Sequence, residues 1–94
     1  MSEITGDIID TEDGYQTCDL YLGAFLVSAG CKMLKANREQ KSKRVYFVFE
    51  KTNLIMNLRL DYFSRNAKVA ALTYADNIKS LKSLCHNIAT STVL

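Results

Sequence analysis

The 94-residue chain contains no proline. That excludes a proline-rich linker, and no helix is interrupted by a missing backbone donor. Long hydrophobic runs are absent too. The longest, Leu20 to Ala29, is broken by Gly23 and Ser28 and has about half of the roughly 20 residues needed to span a bilayer. Residues 1–19 hold no base, so the positive start and apolar stretch of a secretory signal are missing. These absences predict a cytoplasmic protein with no membrane association.

The constellations that carry chemistry are equally sparse. Cys18, Cys31 and Cys85 are an odd, widely spaced set with no C-x-x-C pair, unlike a disulfide framework or a zinc site. They read as small buried hydrophobes. The sole histidine, His86, adjoins Cys85, and adjacent side chains diverge on a helix. Ser83 stands one turn before it, but no acid is near in sequence to orient the imidazole. Asp61 and Asp76 do not make a dyad without a pocket. The four glycines are scattered, whereas a phosphate-cradling loop needs them clustered. The expectation is a non-enzymatic protein with no cofactor and no metal.

What is present is a single globular domain's worth of chain, 48% apolar. Thr17 is placed to cap a helix over Asp19–Ala29, and Gly30 to stop it. Leu20, Tyr21, Leu22, Ala24, Phe25, Leu26 and Val27 leave that helix apolar on nearly every face, so it needs cover on several sides. A weak strand, Lys32–Asn37, and a strong one, Arg44–Glu50, read as a hairpin with Val45, Phe47 and Phe49 on one face and Tyr46 and Val48 on the other. A second helix is expected over Asn53–Ser64, capped by Thr52 or Asn53 and stopped at Arg65-Asn66. A third begins at a Thr73 cap, with Tyr74, Ile78, Leu81, Cys85 and Ile88 forming an amphipathic stripe. The order α-β-β-α-α predicts an α+β fold, a two-stranded antiparallel hairpin packed with three helices. Residues 1–16 read as an acidic flexible arm, 17–88 as the domain and 89–94 as a frayed tail.

Several blocks resemble a short domain-of-unknown-function family of bacteria, archaea and phages. Thr17-Cys18-Asp19-Leu20-Tyr21-Leu22-Gly23-Ala24-Phe25-Leu26 is similar to its T-x-D-L-Y-L-A-A-[FY]-L opening. Phe47-Val48-Phe49 matches an F-x-F strand, and Asp61-Tyr62-Phe63 a D-Y-F helix end. The stretch from Tyr74 to Lys82 matches Y-A-x-x-[IL]-x-x-L-K. The match spans about residues 15–87. It implies a prokaryotic or phage accessory protein and carries over no catalytic residue. Gly23 departs from the alanine usual there, which puts the tightness of helix packing at that point in question.

Charge is unevenly placed. Residues 1–19 carry six acids, while residues 20–94 carry twelve bases and four acids, a net +8. Lys32, Lys35, Arg38, Lys41, Lys43, Arg44 and Lys51 crowd into the hairpin region against Glu39 and Glu50. A basic hairpin suits a phosphate backbone, although loop lysines are also ordinary solvated charges. The candidate nucleic-acid-binding residues are Lys32, Lys35, Arg38, Lys41, Lys43, Arg44, Lys79 and Lys82, with DNA or RNA as partner. Tyr46 offers a ring for base stacking, or for packing under another element. The acidic arm is placed to compete with nucleic acid for the basic surface. The alternative is a protein-interaction or inhibitor role, for example against a host protein, with homodimerisation covering the apolar first helix.

Overall fold

The computed structural model describes residues 7–39, 41 and 44–91, with side chains through Ile88. The elements are β1 (Ile9–Asp10), β2 (Tyr15–Thr17), α1 (Leu20–Ser28), β3 (Met33–Arg38), β4 (Val45–Phe49), α2 (Asn53–Phe63) and α3 (Ala71–Ser91). The protein is α+β with three helices, but its sheet has four strands rather than two. Their order is β1-β2-β4-β3, antiparallel throughout. The extra hairpin is drawn from the segment expected to be a flexible arm. Its strands are too short to show alternation in the sequence. What fixes β2 is tertiary: β3 occupies one edge of β4, and the other edge would leave unpaired N–H and C=O groups beside the core. Tyr15, Gln16 and Thr17 take that edge opposite Phe49, Val48 and Phe47. Residues 89–91, expected to fray, continue α3.

The β1–β2 hairpin closes through Thr11 and Gly14. Each backbone N–H donates to the other's carbonyl (2.9 and 3.3 Å), and the Thr11 hydroxyl donates to the Gly14 carbonyl at 2.7 Å. Gly14 has φ +152.

Alternation along β4 sorts the layers. Phe47 and Phe49 are fully buried with Leu22, Phe25 and Leu26 of α1, Ile55 of α2 and Leu81 of α3. Tyr15, Met33, Ala36 and Val45 pack on the same core. All three helices therefore set their buried residues on one sheet face. α1 is the central helix that its all-round apolarity requires, and its Gly23 packs against Phe47 and Leu81. A Cβ there would stand 3.2 Å from Phe47 Cδ2 and 3.4 Å from Leu81 Cδ1, so the departure from alanine accompanies tight packing.

The caps shift slightly from expectation. Thr17 is buried, and its hydroxyl accepts from the Asp19 N–H at 3.1 Å. Asp19 then caps α1, accepting from the N–H groups of Tyr21 and Leu22. The two side chains thus act in series, which is a physical reason for the T-x-D spacing. Gly30, at φ +99, supplies the expected left-handed stop. Thr52 caps α2 by accepting from the Ile55 N–H at 3.3 Å. Arg65, not Asn66, takes the left-handed position after α2, with φ +66. α3 starts before Thr73, because the Tyr74 N–H already reaches the Ala70 carbonyl at 3.0 Å.

One ion pair ties the N-terminal segment to α2. Arg59 donates from Nε and Nη2 to Asp7 Oδ1 and Oδ2 at 2.6 and 2.7 Å, a bidentate fork. The Arg59 hydrogen bond holds the Asp7 carboxyl below its ordinary range, against the opposing effect of burial and with help from the Ile8 N–H. A depressed carboxyl stabilises the fold fully above its unfolded pKa, near 3.9. That stability is lost as pH falls through the lower folded value. Urea unfolding is expected to find Asp7→Asn less stable than wild type by about 1 kcal/mol at neutral pH, with the gap closing below about pH 4.

Candidate nucleic-acid interface

The sheet face turned away from the helices is built by the same alternation. Gln16, Val48 and Lys35 stand in register across β2, β4 and β3, and Asn37 stands opposite Tyr46. Register shifts between Met33 and Lys35, and Leu34 stays exposed at that irregularity. Val48 is only 1% exposed, with the Gly14 backbone close above it. Lys35 Nζ meets Asp13 Oδ2 at 3.2 Å on this side. The Tyr46 hydroxyl donates to Glu39 Oε1 at 3.3 Å. Gln16, Asn37, Arg38, Glu39 and Tyr46 line an open cleft of about 290 Å³.

The residues singled out by charge do not form one surface. Arg38, Lys41 and Arg44 lie along the β3–β4 connection, where the Glu39 N–H donates to the Arg44 carbonyl at 2.8 Å. Lys41 and Arg44 are exposed and Arg38 is half-buried. Lys43 lies outside the described residues. Lys32 is exposed at the opposite end of β3, its carbonyl accepting from the Glu50 N–H. Lys35 is engaged by Asp13. Lys79 and Lys82 sit on the solvent side of α3, while Tyr74, Ile78 and Leu81 turn toward α1 and the core. The α3 pair therefore belongs to the helical layer, apart from the open sheet face.

Among the described residues, three of the N-terminal acids are partners of bases rather than a detached charge. Asp13 faces Lys35, Asp10 faces Lys51 and Asp7 faces Arg59. Lys51 also stands 5.7 Å from the Tyr15 ring centroid. All three bases lie outside the 38–44 connection. Sequence reasoning missed Gln16, Asn37 and Glu39 as candidates. The alternation of β3 and β4 was a usable signal for Asn37, whereas Gln16 becomes visible only once β2 is recognised as a strand.

The helical side carries a second depression, an open apolar groove of about 470 Å³ walled by Phe25, Tyr62, Ala67, Val69 and Tyr74. Tyr62 packs against Phe25 with the rings tilted at 32° and 5.7 Å between centroids. Burial first, then Asp19 and Tyr74, pushes the Tyr62 phenol up to about 12. Burial likewise raises Tyr74, whose hydroxyl donates to the Tyr21 carbonyl at 3.2 Å. Burial also raises the thiols of Cys31 and Cys85, which disfavours the reactive thiolate. Ser83 and His86 are both exposed on α3. Among the described residues, no three His, Cys, Asp or Glu side chains gather as a metal requires, and no helix is long and apolar enough to cross a membrane.

Fold and surface together define a two-layer α+β domain, with three helices on one face of a small antiparallel sheet and a polar cleft on the other. The chain belongs to the family described as domain of unknown function (DUF5659), whose family model matches residues 12–87. No curated protein and no solved structure matches it. The resembling blocks serve the fold: Asp19 caps α1 and Thr17 anchors it, Phe47 and Phe49 fill the core, and Tyr74, Ile78 and Leu81 seat α3.

Proposed function

We propose that the chain is a cytoplasmic, non-enzymatic binding module that contacts nucleic acid through the β3–β4 connection. One observation carries this reading. Arg38, Lys41, Lys43 and Arg44 lie within seven residues of chain holding a single acid, Glu39, beside the open face that bears Tyr46 and Asn37. Guanidinium and ammonium groups there meet phosphates and release counterions, with no need for catalysis. The prokaryotic and phage setting implied by the family blocks fits an accessory protein of this kind. Amide NMR during titration with a DNA or RNA oligonucleotide tests the reading. Shifts are expected in residues 37–46; shifts confined to α2 and α3, or none, would overturn it.

Among the described residues, the acidic N-terminal segment reaches the open face beside this connection through the Asp13–Lys35 ion pair. Removing residues 1–16 would take away β1 and most of β2, so a charge change is the cleaner probe. Asp13→Asn frees Lys35 while keeping the hairpin turn. It is expected to tighten low-salt binding by about two- to fivefold, the scale of one exposed ion pair. Unchanged or weaker binding would remove the competition.

Homodimerisation is a second reading, favoured by Leu72, which is 81% exposed beside the helical groove, with Leu60 and Phe63 also in solvent. Asp61, Arg65, Lys68 and Asp76 are exposed on the same layer. That mixture of signs suits a self-complementary two-fold contact. Sedimentation is expected to show a dimer that Leu72→Lys returns to monomer. A monomeric wild type at high concentration would eliminate this reading.

A further inference from the structure

We infer that the cleft on the open sheet face takes one unpaired base of a single strand and favours a base whose amino group stands where uracil and thymine carry the C4 carbonyl, namely adenine (at C6) or cytosine (at C4), over uracil or thymine. This rests on the nucleic-acid reading above and specifies what is bound and how. The cleft, at about 290 Å³, lies at the small end of the roughly 300–1,000 Å³ usual for small-molecule sites, the scale of one heterocycle rather than a long ligand. Tyr46 supplies a ring on an otherwise polar floor, and a ring on a sheet face is a stacking platform open to any unstacked base.

Selectivity comes from the groups around the ring. Gln16 and Asn37 each present an amide, a donor beside an acceptor, which matches the adjacent acceptor and amino donor of adenine. Glu39, which already accepts from the Tyr46 hydroxyl, is acceptor-only when ionised. Its carboxylate welcomes an amino group and repels the carbonyl that uracil and thymine carry at the corresponding position. A paired base within a duplex offers neither its ring face nor its full edge. The cleft therefore discriminates single strands from duplex, while the exposed bases Lys41 and Arg44 nearby meet the adjoining phosphates of either.

Fluorescence anisotropy at low salt tests this with the full chain and four probes of equal length: single-stranded oligoadenylate, oligocytidylate, oligouridylate and a duplex. Wild type is expected to bind the first two about tenfold tighter than oligouridylate or the duplex, the scale of one stacked, edge-read base. Tyr46→Val keeps a good strand former and should collapse that ratio toward one while retaining duplex binding. Tyr46→Phe keeps the ring and should largely preserve the ratio. Asn37→Ala, at an exposed position, should reduce it without loss of fold. A ratio is insensitive to the folded fraction, so a destabilised variant remains informative. Equal binding of all four probes by wild type, or a ratio unmoved in Tyr46→Val and Asn37→Ala, overturns base recognition and leaves phosphate binding intact. Absence of binding to every probe overturns both.

Discussion

Gly14→Ala is expected to lower the stability of the domain by about 3 kcal/mol. Gly14 holds φ +152 in the turn between β1 and β2, where a side chain is strained whatever the space. Here there is no space either. A Cβ would overlap the Phe49 carbonyl oxygen and stand 3.0 Å from Val48 Cγ1. The carbonyl is backbone of the central strand and cannot swing aside. Relief requires β2 to move off β4, and with it Thr17, whose hydroxyl anchors the Asp19 cap of α1. Chemical denaturation should show the loss, and hydrogen exchange should show residues 9–17 opening first. A variant as stable as wild type would mean that the first hairpin is not seated on β4.

The largest effect on binding is expected from the β3–β4 connection. Replacing Lys41, Lys43 and Arg44 by serine removes three positive charges from the connection, in which Lys41 and Arg44 are exposed. The Arg44 carbonyl still receives the Glu39 N–H, because that bond is backbone. Each lost phosphate contact lowers the salt slope by about 0.7 on a single strand and about 0.9 on duplex. The triple variant should therefore lose about two to three units of slope and on the order of 100-fold in low-salt affinity. Its melting temperature should stay close to wild type. The same exchange at Lys79 and Lys82, which lie on the helical layer, should have a much smaller effect.

Periodicity explains which parts of the fold were legible. The stripe Tyr74, Ile78, Leu81, Cys85, Ile88 identifies α3, and the Val45–Phe49 alternation identifies β4. Both are long enough for a period to show above local noise. β1 and β2 have two and three residues; no period is visible at that length, and their pairing is decided by the open edge of β4. Helix starts shifted for a related reason. Thr17 and Asp19 are both competent caps, and only the path out of β2 makes the first a relay to the second. At the candidate interface, the cluster of bases was plain in the sequence. That Lys35 is engaged by Asp13, and that Lys79 and Lys82 lie in another layer, follows from contacts between residues far apart in the chain. Gln16 and Asn37 carry no charge to advertise them, and they meet only because β2 and β3 flank β4.

On the proposed reading, this domain holds nucleic acid through a compact cluster of positive charge. The most direct measurement is the affinity of the wild-type chain for a single-stranded oligonucleotide as a function of salt. Binding should be measurable at about 50 mM salt, and the logarithm of the association constant should fall linearly with the logarithm of salt concentration, with a slope of about −2 to −3. No binding at about 50 mM salt, or an affinity indifferent to salt, would contradict it.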